Sequence, residues 1–131
     1  MVWLLLASLA LLGFIAIMIG GLVTKQVGRE AQTGARDELP PPTVELGRAR
    51  RALANLYESL PIFLTLGILI IIYNAETTVT FSAGLVFVLA RIAHLVFYMR
   101  AMSPARSIAY LIAMFGLIAM AGGLIWRLIS G

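Results

Sequence analysis

Arg48, Arg51, Asn55 and Glu58 are spaced three, four and three residues apart, the repeat that lines side chains along one face of a helix. Arg91, His94 and Tyr98 form a second such stripe, spaced three and four. The run Ser103-Pro104-Ala105-Arg106-Ser107 reads as the start of a further helix: a serine N-cap, proline at the first helical position and Arg106 in the first turn. Tyr110 lies one turn on from Arg106. A cation in a first turn opposes the helix macrodipole, so its presence there asks for a reason. Helix N-termini attract anions, and Arg106 with the Ser107 hydroxyl strengthens that attraction. The chemistry these types can do together is stabilisation of an anion.

The elements that must position them are membrane spans. Of the 131 residues, 61% are hydrophobic and 12% charged, against roughly half and a quarter in a soluble domain. So small a chain cannot hide that much apolar surface from water. Met1–Thr24 carries no ionisable side chain and is long enough to cross a bilayer. A cleaved signal peptide would want a basic start and a shorter apolar stretch. Here the first Lys or Arg is Lys25, so the segment is read as an anchor. Further apolar stretches cover about Ala52–Tyr73, Val79–Met99 and Ser107–Trp126. The expected fold is all-α: an integral membrane four-helix bundle forming a single domain over residues 1–131. A polar loop at about 25–47 contains Pro40-Pro41-Pro42, which cannot continue a helix. The remaining links, Asn74–Thr78 and Arg100–Pro104, are short, so neighbouring spans run antiparallel.

Charge sets the direction of those spans. Lys25, Arg29, Arg36, Arg48, Arg50 and Arg51 cluster at the first connection, and Arg100 and Arg106 flank the third. The second has no basic residue. The positive-inside rule therefore places connections one and three in the cytoplasm and both termini on the other side. The net charge of +4 does not indicate a nucleic-acid partner, because the basic residues sit at helix ends and within helices rather than on one solvated face. Cysteine is absent, which excludes disulfides and thiolate metal sites; no metal is expected. Any thiol chemistry must use a sulfur carried by a substrate. Gly13, Gly20, Gly67, Gly116, Gly122 and Gly123, with the Ala119–Gly123 pair, permit close helix approach, although membrane helices are rich in glycine in general.

Ionisable groups within spans cost roughly 2.5–3.5 kcal/mol each at the helix centre. Asn55 lies between Arg51 and Glu58 and can bridge them. Pro61 deprives the Tyr57 carbonyl of its helical donor, which would open the backbone beside Glu58. Arg91 is too far from the helix end to reach water easily and should face the bundle interior with an acidic or carbonyl partner, Glu58 being the obvious candidate. Blander roles compete: Arg48 can snorkel to the interface, Arg91 can be a structural tie, His94 a satisfied core residue and Tyr98 an interfacial belt residue.

Three segments resemble one known family. RARRALANLYESLPIF, through Arg51, Asn55, Glu58, Pro61 and Phe63, resembles the second-helix signature of the MAPEG superfamily, the membrane-associated proteins of eicosanoid and glutathione metabolism. RIAHLVFYM, through Arg91, His94 and Tyr98, resembles its third-helix pattern. SPARSIAY, through Arg106, Ser107 and Tyr110, resembles the start of its fourth. The resemblance covers the whole chain in architecture and residues 48–110 in motif. It implies a homotrimer with glutathione bound between neighbouring subunits and open to the cytoplasm, as in the compact bacterial branch, and hence a bacterial inner membrane. By carry-over, Arg51, Asn55, Glu58, His94, Tyr98 and Tyr110 hold the peptide part of glutathione, and Arg91 belongs to the same binding set. Arg106 with Ser107 stabilises the thiolate. The implied activity is glutathione transfer to apolar electrophiles, or reduction of lipid peroxides, in a detoxifying role. Ala54 stands where the prostaglandin synthase type has a further Arg, and Leu53 where His is common, so prostaglandin synthesis is not expected.

The alternative is a non-catalytic lipid-binding scaffold of the same fold. A small proton-coupled exporter would place a carboxylate in its first helix, and Met1–Thr24 has none.

Overall fold

The computed structural model describes residues 1–131 and contains helices and connections only. The helices are α1 (Val2–Val27), the short α2 (Arg29–Thr33), α3 (Val44–Ile72), α4 (Thr78–Met99) and α5 (Ser103–Ser130). α1, α3, α4 and α5 are each long and apolar enough to cross a membrane, the four spans expected from composition.

The first connection is narrower than the polar stretch of sequence. α1 continues to Val27, and α3 begins as soon as the proline run allows. Thr43 caps α3 by accepting from the Leu46 amide at 3.2 Å, so the helix starts well before its apolar part and carries Arg48 and Arg51 as helical residues. The intervening segment folds against the end of α1. Gln26 donates to the Pro41 carbonyl at 2.8 Å and accepts from the Thr43 amide at 3.2 Å. Gln32 donates to the Gly20 carbonyl at 3.1 Å. Beyond it, α3 runs through Pro61 without interruption.

At the opposite end α4 opens with a reciprocal cap. Thr77 accepts from the Thr80 amide at 3.2 Å, and the Thr80 hydroxyl accepts from the Thr77 amide at 2.8 Å; threonine takes the place that Glu or Gln fills in the usual capping box. The start of α5 departs from expectation. Ser103 is not the cap: it is the first helical residue, the cap position falls on Met102, and no side chain caps the helix. The cause is Ala101, whose φ of 58° turns the chain so tightly that the Met102 carbonyl already accepts from the Arg106 amide at 2.9 Å. Pro104 still lies in the first turn.

Close packing joins α4 to α5. A Cβ on Gly116 would stand 2.8 Å from the Ala83 carbonyl oxygen, and one on Gly123 would stand 2.5 Å from Thr80 Cγ2. Gly67 plays the same part between α3 and Leu5 of α1. Phe63 of α3 stacks on Phe87 of α4 with ring centroids 4.3 Å apart, inside a core that also holds Leu60, Ile70, Val88, Leu117 and Met120. α1 packs on α3 and α4 and does not touch α5. Only 30 of 131 residues are buried, and Trp3, Phe14, Phe115, Ile118 and Ile129 point outward. A single chain with that surface is stable only in an apolar solvent or against other apolar surfaces.

Candidate functional site

α3, α4 and α5 enclose a cavity of about 390 Å³ lined by Asn55, His94, Tyr98, Arg106, Ser107, Tyr110 and Leu111. Six of these seven are among the residues singled out in the sequence; Leu111 is the addition. The cavity lies where α4 ends and α5 begins, the end of the bundle that also carries the α1–α3 connection and most of the basic residues. The periodicities explain the convergence. His94 and Tyr98 sit one turn apart on α4, and Arg106 and Tyr110 one turn apart on α5, so each pair projects from one face. The tight turn at Arg100–Met102 then sets the two faces against each other.

The lining is aromatic and cationic. The Arg106 guanidinium carbon stands 4.7 Å from the centre of the Tyr98 ring, within cation–π range. Its guanidinium makes no hydrogen bond or ion pair within the chain. His94 is 4% exposed and meets Tyr98 edge to face with centroids 5.5 Å apart. The Ser107 hydroxyl donates to the Ser103 carbonyl at 3.2 Å, which leaves its lone pairs free. No carboxylate lines the cavity.

Arg91 stands behind this wall. It is 2% exposed, and its guanidinium carbon lies 5.3 Å from the Tyr110 ring centre and 5.5 Å from that of Phe87. It faces the interior, as expected, and one partner is a carbonyl oxygen, that of the Asn55 amide, but the candidate Glu58 is not among its partners. Nη1 donates to Asn55 Oδ1 at 2.6 Å and Nη2 to the Ser59 hydroxyl, so the pairing of Arg91 with Glu58 is not made. Asn55 consequently serves Arg91 and does not bridge Arg51 to Glu58. The geometric reason is the position of Glu58: it is exposed on the outward side of α3, whereas Asn55 and Ser59, one turn apart, face α4. The single ion pair of the chain joins the Met1 amino group to Glu76 at 2.8 Å, away from the cavity.

Arg51 also lies outside the lining. It is exposed at the rim, its guanidinium carbon 6.0 Å from the Tyr98 ring centre. Arg48 reaches across to the end of α4, where it donates to the Met99 carbonyl at 3.4 Å, a placement that suits a cation at a helix C-terminus. Ser59 was not singled out in the sequence, yet it extends the Asn55 stripe by one turn and could have been found by following that stripe past Glu58.

The sequence matches the MAPEG family over residues 1–126. The chain is a member of the MAPEG family. Membership, together with four apolar helices, makes it an integral membrane protein of the group concerned with glutathione and eicosanoid metabolism. No curated protein matches it. In this MAPEG protein, then, the stripes on α3, α4 and α5 meet around one cavity, with Arg51 at its rim and Glu58 exposed on the outside of the chain.

Proposed function

We propose that this protein is a glutathione-dependent transferase or peroxidase that works as a homotrimer in a bacterial inner membrane. The observation that carries the reading is the cavity with Arg106 at its wall, a guanidinium with no partner in the chain and no carboxylate among its neighbours. A low-molecular-weight thiol has a pKa near about 8.5, so only a few per cent is ionised at neutral pH. Lowering that value by about two units takes roughly 2.7 kcal/mol of preferential stabilisation of the anion. A partly desolvated Arg in the first turn of a helix can supply it. Asn55, His94, Tyr98 and Tyr110 hold the peptide part of glutathione, and the Ser107 hydroxyl, which donates to the Ser103 carbonyl without ligand, turns to donate to the sulfur.

The thiolate then attacks an electrophilic carbon arriving from the bilayer. The new C–S bond forms as the carbon–leaving-group bond breaks, and the leaving anion departs toward the aqueous mouth. With a hydroperoxide, sulfur attacks the O–O bond, an alcohol leaves, and a second glutathione reduces the sulfenate to disulfide and water.

Glu58 and Arg51 support the homotrimer. Both are charged and exposed on the chain: Arg51 lies at the cavity rim beside Tyr98, and Glu58, two turns deeper in the span, would cost roughly a few kcal/mol against lipid. A neighbouring copy covers them and completes the glutathione site at their level. The excess of basic residues at the α1–α3 and α4–α5 connections puts that end in the cytoplasm and both termini on the other side.

Purified protein in detergent is to be mixed with glutathione and 1-chloro-2,4-dinitrobenzene. Formation of the conjugate, with thiolate absorbance appearing on addition of glutathione alone, is the expected result. A second reading, a non-catalytic lipid-binding scaffold, draws on a groove of about 480 Å³ between α4 and α5. That groove is lined wholly by apolar side chains, among them Leu89, Ala93, Phe97, Ile108 and Ile112. It lies on the face of α5 opposite Arg106 and Tyr110, so a lipid there would not reach the thiol. Absence of both conjugate and thiolate signal would favour that reading.

A further inference from the structure

α4 and α5 touch backbone to backbone over one half of their length and part over the other. Gly116 seats α5 against the Ala83 carbonyl, and Gly123 seats it against Thr80. Toward the α4–α5 turn the two helices leave the apolar groove of about 480 Å³ between them. Val86, Leu89, Ala90, Ala93 and Phe97 line it from α4, and the stretch from Ala105 to Ile112 closes it from α5. Ala90 and Ala109 are buried and form its floor, while Leu89 and Ile108 are exposed and form its rims. From Val86 to Phe97 the groove runs about 16 Å along the helix, at about 1.5 Å per residue. That is close to half of a hydrocarbon core of about 30 Å. The groove is one leaflet deep, shorter than the track of a partner helix that crosses both.

Its open end is cationic. The α4 lining positions are spaced three, one, three and four residues apart, and Arg100 follows three residues on, so the stripe ends on a guanidinium at the membrane surface. Arg100 closes α4 with φ −83° and ψ 2°, near enough to helical values to keep that register. It is exposed, and the single ion pair of the chain lies elsewhere. Arg48 brings a second guanidinium to the same helix end through the Met99 carbonyl. From Thr77 to Gly131 the chain carries four Arg and no Asp or Glu, so no carboxylate of α4 or α5 competes for them.

We infer that the groove is the seat of one phospholipid with an anionic headgroup, its acyl chain lying along Val86–Phe97 and its phosphate meeting Arg100. The wholly apolar wall selects a hydrocarbon, the depth selects a chain confined to one leaflet, and Arg100 selects a negative headgroup. α3 contributes nothing to the lining, so a homotrimer that covers Glu58 of α3 leaves the groove to lipid. The inference names the headgroup class and the leaflet, which the scaffold reading does not. It is independent of the thiol cavity on the other face of α5 and holds whether or not the protein is catalytic.

The test uses the full chain, delipidated in a neutral detergent. The probes are dioleoylphosphatidylglycerol, dioleoylphosphatidylcholine and glycerol 3-phosphate, read by native mass spectrometry and by the shift in melting temperature. Phosphatidylglycerol should bind about five-fold more tightly than phosphatidylcholine, and glycerol 3-phosphate should give no shift. Arg100→Gln should erase that preference. Arg29→Gln makes the same change in net charge on α2 and should keep it. Ala93→Leu, which fills the groove, should weaken both lipids with the oligomeric mass unchanged. Equal wild-type binding of the two lipids overturns the inference. So does an equal loss of preference in Arg100→Gln and Arg29→Gln, the mark of a diffuse surface charge. A shift from glycerol 3-phosphate as large as that from phosphatidylglycerol overturns it in favour of a free-anion site. Unchanged lipid binding in a folded Ala93→Leu protein overturns the acyl seat, and a changed oligomeric mass assigns the groove to a second copy. Should Ala93→Leu fail to fold, the Arg100 and Arg29 variants decide alone.

Discussion

Arg106 illustrates how one side chain is made available for chemistry. Tyr98 supports its guanidinium on one side at 4.7 Å, and nothing in the chain neutralises it. Replacing it with Ala removes the charge without disturbing a hydrogen bond. On the proposed reading, the midpoint of thiolate formation in bound glutathione lies about two units below the free value of about 8.5. Arg106→Ala should move that midpoint back up toward about 8.5, read from thiolate absorbance against pH. The sign follows from which form the cation favours: it stabilises the deprotonated sulfur, so its loss raises the pH needed for ionisation, and activity at neutral pH falls about 25-fold with the thiolate fraction. An unmoved midpoint would refute the role. The types at this site were legible in the sequence because their spacing follows the helical repeat. The partner of Arg91 was not. Glu58, Asn55 and Ser59 all lie within about a turn of one another on α3, and choosing between them needs the rotation of α3 relative to α4.

At the scale of elements, the bundle depends on how closely its helices approach. Gly116 lets α5 lie against the backbone of α4, where an added Cβ would meet the Ala83 oxygen at 2.8 Å. A backbone atom cannot swing aside as a side-chain end can. Gly116→Ala should therefore destabilise by about 1–3 kcal/mol, the usual cost of overpacking, and lower the melting temperature in detergent. Gly13 has nothing within 4 Å of the same position, and Gly13→Ala should be neutral or stabilising by up to about 1 kcal/mol, since alanine favours the helix. Equal effects at the two positions would show that helix propensity, not approach, governs them. Composition announced both glycines alike; only the packing distinguishes them. The same limit applies to the start of α5, where Ser103 and Pro104 form a familiar opening signature. The turn at Ala101 advanced the helix by one residue, a matter of backbone closure between two packed spans that local sequence does not encode.

For the molecule as a whole, Glu58 is a carboxylate of a membrane-spanning helix left exposed on the chain, and the proposed homotrimer covers it. Glu58→Gln removes the charge while keeping the shape. On the homotrimer reading it should reduce the trimer fraction, or the affinity for glutathione at constant trimer, measured by light scattering in detergent and by thermal stabilisation. A trimer of unchanged stability and affinity would count against the covering copy. Orientation is tested separately. A periplasm-active reporter fused after Gly131 should be active and the same reporter inserted near Asp37 inactive, as the distribution of Lys and Arg requires; the reverse pattern would invert the assignment.

Four spans, their order, the end that carries the basic residues and the candidate types on each helix face follow from sequence alone. They depend on composition, length and the 3.6-residue repeat, all of which are local properties. Which face of each span meets which neighbour does not. Asn55 and Ser59 turned inward to Arg91, Glu58 outward, Arg51 at the cavity rim, and six polar residues from three helices around one cavity: these were decided by the rotation and approach of packed helices. Rotation is set by glycine contacts such as Gly116 on Ala83 and by aromatic stacking of Phe63 on Phe87, and those contacts exist only once the chain has folded.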